Sequence, residues 1–193
     1  MLNLPERFIL FDLEWTTWEG AEARNWSREG EHMEVVQAGA ALLDGRHMEE
    51  LESINVLIRP QFNPILSQYF IDLTGITQEE IEQKGIDFRA FLKIFLDFCS
   101  ELPIYCFGRA DGGGLSDYDV LVKNCELLEM KFPLARTRFH NINEIFHQHG
   151  YEIEQSGSSP EAFGIELPFR PHDALNDVRA VLIALRALNE RLK

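Results

Sequence analysis

The chain has 193 residues, of which 45% are hydrophobic and 26% charged, and a formal net charge of -14. This length supports one globular domain spanning residues 1–193 with a substantial core. No run approaches the roughly 18 to 20 apolar residues of a membrane span, and the acidic balance excludes a protein that coats nucleic acid through a broadly basic surface. The opening stretch, Met1-Leu2-Asn3-Leu4-Pro5-Glu6-Arg7, lacks a basic region followed by an apolar one, so a soluble, cytoplasmic protein is expected. Cys99, Cys106 and Cys125 have no Cys-x-x-Cys spacing and predict buried, reduced thiols.

Phe8 to Trp15 reads as a buried strand, with Leu10, Asp12 and Glu14 on one face and Ile9, Phe11 and Leu13 on the other. A run that is apolar on both faces marks a central strand, where an unpaired carboxylate is costly unless a cation binds it. The segment from Thr16 to Glu31, rich in charge and without a period, reads as a long loop. Val35 to Leu43 and Leu51 to Ile58 read as a hairpin joined across Asp44-Gly45. Helices are predicted over Leu66 to Leu73, Gln78 to Gln83 and Phe88 to Leu102. Pro103 to Gly108 reads as a short buried strand, followed by the loop Arg109-Ala110-Asp111-Gly112-Gly113-Gly114. Ser116 opens a helix whose predicted apolar stripe is Tyr118, Leu121, Val122, Cys125 and Leu128. Arg136 to His140 reads as a further strand, Ile142 to His149 as a short helix, Ser156 to Pro160 as a polar loop, and Ala174 to Leu192 as the last helix. Such an order makes an α/β or α+β layered domain.

Two later segments carry charge at helix starts. Asp119 falls three residues after Ser116, the spacing of a capping-box partner. In Pro171-His172-Asp173-Ala174-Leu175-Asn176-Asp177, Asp173 is suited to cap the last helix, which leaves His172 in the loop before it and Asp177 one turn inside.

Asp12-x-Glu14 on a strand, an acid at a later helix start and His172-x-x-x-x-Asp177 at the last helix resemble the DEDDh 3′-to-5′ exonucleases, closest to their Eri-type branch. Trp18-Glu19, Glu34 to Ala40, Asn63 to Ser67 and Leu73 to Gln78 extend the resemblance over nearly the whole chain. It implies an RNase H-like fold with a mixed five-stranded sheet flanked by helices. It also implies a two-metal exonuclease that binds two divalent cations, Mg2+ or Mn2+, through Asp12, Glu14, Asp119 and Asp177, with Glu14 and His172 as catalytic residues. Asp119 is taken over Asp117 because the family places its acid directly after an aromatic residue, here Tyr118. Such chemistry suits these residue types: hard cations want oxygen ligands, and an imidazole can take a proton near neutral pH.

By the same analogy Leu13, Trp15 and Thr16 are expected at the last nucleotide; Arg109, Arg136, Arg138 and Arg170 are candidates for a basic rim, although arginines scattered in this way usually serve as solvated surface. The expected partner is the 3′ end of a single-stranded nucleic acid, RNA favoured over DNA, with no membrane. A non-cleaving nucleic-acid-binding or adaptor module and a clean-up enzyme for short oligonucleotides are the alternatives. Oligomeric state is not legible in the sequence.

Overall fold

In the computed structural model, which describes residues 2–108, 116–167 and 169–193, the apolar stretch near the N-terminus forms β1 (Arg7–Trp15), the middle strand of a five-stranded sheet. β2 (Val35–Asp44) and β3 (Glu49–Leu57) add to one side as antiparallel neighbours, and β4 (Ile104–Cys106) and β5 (Phe139–Asn141) add in parallel to the other, giving the order β3-β2-β1-β4-β5. This is the mixed sheet expected.

Alternation along β1 divides the core. Ile9, Phe11 and Leu13 pack with α3 (Phe88–Cys99) and α4 (Ser116–Leu127), while Phe8 and Leu10 pack with α5 (Asn143–Gln148) and α6 (Ala174–Arg191). Phe11 meets Phe95 and Phe139 edge to face at 5.2 and 6.0 Å, geometries that favour aromatic pairs beyond their area. α1 (Gln68–Thr74) and α2 (Gln78–Lys84) close a smaller cluster over Val36 with Leu66, Phe70, Ile76 and Ile81. Among the described residues no helix is long and apolar enough to cross a membrane. The three cysteines are buried and unbonded, and burial pushes the Cys99 thiol up to about 12.

Some expectations need correction. Arg136–Arg138 is a turn of 3-10 helix, so the strand begins only at Phe139. The predicted loop at Ser156 to Pro160 enters another 3-10 helix, Ser159–Phe163, whose Phe163 stacks on Tyr151 at 4.5 Å. α3 stops at Cys99, where Ser100 turns to a φ of 42°. The predicted loop from Arg109 to Gly114 lies outside the described residues.

The start of α6 is seated directly on the sheet. Gly39 of β2 touches its N-terminus so closely that a Cβ there would lie 2.2 Å from the Leu175 nitrogen, and only glycine permits the approach. The buried Gln37 side chain then accepts from the Ala174 N–H at 3.0 Å and donates to Asp173 Oδ2 at 2.9 Å. Together with the Asp173 side chain accepting from Asn176 N–H, these contacts set the first turn of α6 against β2.

Candidate active site

Among the described residues β1 pairs with β4 only at Ile9–Ile104 and Leu10–Tyr105, so that ladder does not reach the C-terminal half of β1. Asp117, in the first turn of α4, meets that half by accepting from the Leu13 N–H at 3.0 Å through Oδ1. On the other side a register shift between Glu14 and Trp15 marks a bulge against β2, a device common beside active sites. A cavity of about 410 Å3 opens here, beyond the carboxyl ends of the parallel strands, and Asp12, Glu14, Asp117, His172 and Asp177 all line it.

Of the acids expected at one site, Asp12, Glu14 and Asp177 are brought together and Asp119 is not. Asp119 is exposed and lies outside the cavity lining. The reason is helical period: Asp117, Val120, Leu121 and Asn124 are buried at spacings of three, four and seven residues, so Asp117 belongs to the inward stripe and Asp119 points about 200° away from it. The acid that α4 turns toward the cavity is therefore Asp117.

Of the three residues expected at the last nucleotide, Leu13 and Trp15 line the cavity and Thr16 does not. Its hydroxyl donates to the His32 carbonyl and accepts from the Glu34 N–H at 3.0 Å, which turns it into the base of the following loop. Among the described residues the candidate arginines form no basic rim to the cavity. Arg136 is engaged with the Phe139 carbonyl and the Tyr118 ring, Arg138 with the carbonyls of Cys99, Ser100 and Leu102, and Arg170 with the Asp72 carbonyl. Arg109 lies outside the described residues, and among the described residues lining the cavity there is no lysine or arginine.

Several lining residues were not singled out from the sequence as contacts. Trp18 and Trp26 come from the long loop, which is ordered: Arg24 pairs with Glu31, and Trp26 Nε1–H donates to the Thr16 carbonyl at 3.1 Å. Tyr69 enters from α1, which is tied to the same loop because its N-cap Ser67 donates to the Thr17 carbonyl. Ser156 and Gly157 come from the segment after α5, and nothing in their local sequence signals a site.

The electrostatics are those of a place short of positive charge. Asp12, Glu14, Asp117 and Asp177 are each buried. Burial and then the neighbouring carboxylates push Asp12 and Glu14 well above the usual range. Burial likewise raises Asp117 and Asp177 to about 7, against opposing hydrogen bonds from the backbone of Leu13 and of His172. Asp177 Oδ1 is buried without a hydrogen-bond partner, and among the described residues Glu14's carboxylate accepts no hydrogen bond. Oxygens left this way need either protons or cations. One ligand atom each from Glu14, His172 and Asp177 lies within 4.8 Å of the others, and the oxygen-rich donor set suits Mg2+ or Mn2+. His172 itself is half-buried at a φ of 64°, and its backbone N–H donates to Asp177 Oδ2 at 3.3 Å.

No family model matches the chain. It is similar to the 3′-5′ exoribonuclease 1 of Rattus norvegicus, 26% identical over 167 residues that cover 81% of this chain and 47% of the relative, and to its Homo sapiens counterpart at 26% over 165 residues. ERI1 exoribonuclease 2 of Xenopus laevis is 24% identical over 196 residues, covering 90% of this chain and 27% of that protein. The chain thus spans about half the length, or less, of the curated relatives it matches. Among solved structures it superimposes on the nuclease domain of 3′hExo, a DEDDh family member bound to rAMP, with a TM-score of 0.74 and 23% identity over 96% of this chain and 92% of that one. The E. coli ExoI–ssDNA complex gives a TM-score of 0.69 at 15% identity, covering 97% and 41%. The fold is the RNase H-like fold of these exonucleases, as the sequence led us to expect.

Proposed function

We propose that this chain, which carries the DEDDh nuclease fold and is related in sequence to 3′-5′ exoribonucleases, is itself a divalent-metal-dependent exonuclease. It removes 5′-mononucleotides from the 3′ end of single-stranded nucleic acid, RNA in preference to DNA. The observation that carries this reading is the meeting of four buried carboxylates and an imidazole in one cavity whose described lining holds no lysine or arginine.

Asp12, Glu14, Asp117 and Asp177 would hold two Mg2+ or Mn2+ ions. When bound, such a pair neutralises charge at the scissile phosphate and leaving oxygen and lowers the pKa of the attacking water. The chain's own residues do the rest. Burial, and then the charge of Arg170, hold His172 below its ordinary value, so the imidazole is neutral near pH 7 and free to take the proton of the attacking water. Leu13 and Trp15 offer an apolar wall to the terminal nucleotide, and Trp18 and Tyr69 add aromatic surface to the same cavity. Stacking on such rings is worth about 1–3 kcal/mol per base and requires bases that are already unpaired. The names of the relatives favour RNA.

With a 5′-labelled oligonucleotide and Mn2+, the wild-type protein should give a descending ladder, and Asp12→Ala should abolish it. A ladder that persists in that variant overturns the assignment. A preference for very short oligonucleotides is a second reading, favoured by the acidic cavity lining of Glu22 and Glu154 beside the four acids. Comparing rates on RNA and DNA of two to twenty nucleotides decides it, since a rate that climbs as the chain shortens supports it and a flat or rising dependence on length removes it.

A further inference from the structure

Ser156 lies within reach of two carboxylates carried by different elements. Its Oγ lies 3.1 Å from Asp12 Oδ1, on the central strand, and 3.5 Å from Asp177 Oδ2, in the first turn of α6. A hydroxyl has one proton to give, so it donates to one of these oxygens and stays within reach of the other. Gly157, next in the chain, packs against the same Asp177: a Cβ there would fall 2.5 Å from Oδ1 and 2.9 Å from Oδ2. Two consecutive residues therefore bound the Asp177 carboxylate, and one of them also holds Asp12.

The segment is fixed by packing. Upstream, Asn143 Nδ2–H donates to the carbonyls of Ile153 and Gly108 at 3.0 and 2.9 Å. Downstream, Ser159 and Pro160 are buried and Phe163 joins the core beneath α6. Ser156 is thus delivered to the carboxylates by the fold and not by chance of a loose surface loop.

From this geometry we infer that Ser156 is a positioning residue of the cation centre. Its hydroxyl fixes the orientation of Asp12 and its spacing from Asp177, leaving their other oxygens for the divalent ions they would hold. The inference rests on the proposed nuclease activity and adds a residue that the Asp, Glu and His pattern does not include. Partners that hydrogen-bond a metal's carboxylate ligands typically set affinity by 10- to 100-fold.

The test is Mn2+ binding to the full chain, by calorimetry and by the loss of the free-ion electron paramagnetic resonance signal, without nucleic acid. Ser156→Ala should weaken binding about 10- to 100-fold, while Ser156→Thr, which keeps the hydroxyl, should stay close to wild type. Both variants should unfold in EDTA at the wild-type temperature, which separates positioning from folding. Wild-type affinity in Ser156→Ala overturns the inference, and so does a loss shared equally by the alanine and threonine variants, which would assign the effect to packing. If the wild-type protein binds Mn2+ and cleaves while Ser156→Ala binds equally well, only this inference falls. If wild type neither binds nor cleaves, the nuclease reading falls with it.

Discussion

Asp117→Asn should abolish the proposed exonuclease activity, lowering kcat by roughly 1,000-fold or more, as expected for one member of a group that acts as a unit. Asp119→Asn should leave it near wild type. The two acids sit two residues apart on α4, but only Asp117 is buried in the cavity, where its Oδ1 accepts from the Leu13 N–H. Asparagine is nearly isosteric and keeps an oxygen for that N–H, so the substitution removes a charge and little else. The folded protein should tolerate it well, because burial already pushes the Asp117 carboxyl up to about 7 and an amide imposes no charge at all. Circular dichroism melts alongside the cleavage assay would show this. A result in which Asp119→Asn is dead and Asp117→Asn active would mean that α4 turns its other face to the cavity.

That choice between neighbours shows where the sequence stops being informative. The strand around Asp12 and Glu14 is readable because period-two alternation in an apolar run fixes which residues share a face, and the structure places Leu10 opposite Ile9 and Phe11. The cap at Asp173 is readable because an N-cap has a local chemical signature, and His172 and Asp177 follow from it by counting. The α4 acid that faces the cavity is missed when an aromatic neighbour is given more weight than the helical stripe. Tyr118 packs partly, against Phe132 and Phe139, while the buried positions begin one residue earlier, at Asp117. Counting from Val120, Leu121 and Asn124 finds it. Thr16 is misplaced for another reason, since its role depends on where the chain returns at Glu34, eighteen residues later. Ser156 and Gly157 lie beyond reach altogether: only the fold brings that segment to β1 and α6. Residues that share an element with the core pattern can be read, and those delivered by a returning loop cannot.

Without a divalent ion, stability should fall as pH rises, the reverse of the usual behaviour of acids held in ion pairs. A carboxyl whose value in the folded state exceeds its unfolded value contributes stability that is complete below the unfolded value and lost as pH rises through the folded one. Asp117 and Asp177 rise from 3.8 to about 7, and Asp12 and Glu14 are also raised well above the usual range, each chiefly through burial. Between about pH 5 and 7 the folded protein therefore holds more protons than the unfolded chain. One such proton lowers stability by ~1.4 kcal/mol per pH unit, so two units cost about 3 kcal/mol, or roughly 5–10 °C in Tm for a chain of this size. Other groups do not cancel this. Asp44, lowered to about 2 by the His47 side chain, acts only at lower pH, and His172, lowered by burial, opposes the trend as one group against four. Because a cation must displace those protons to bind, Mn2+ at a hundred times its Kd should restore ~2.7 kcal/mol near pH 8 and little at pH 5. Thermal melts in EDTA and in Mn2+ from pH 5 to 8 measure this directly. Asp177→Asn should flatten the EDTA slope. A Tm in EDTA that is level or climbs across this range, or an equal Mn2+ effect at both ends, would show that these carboxylates do not share one buried site.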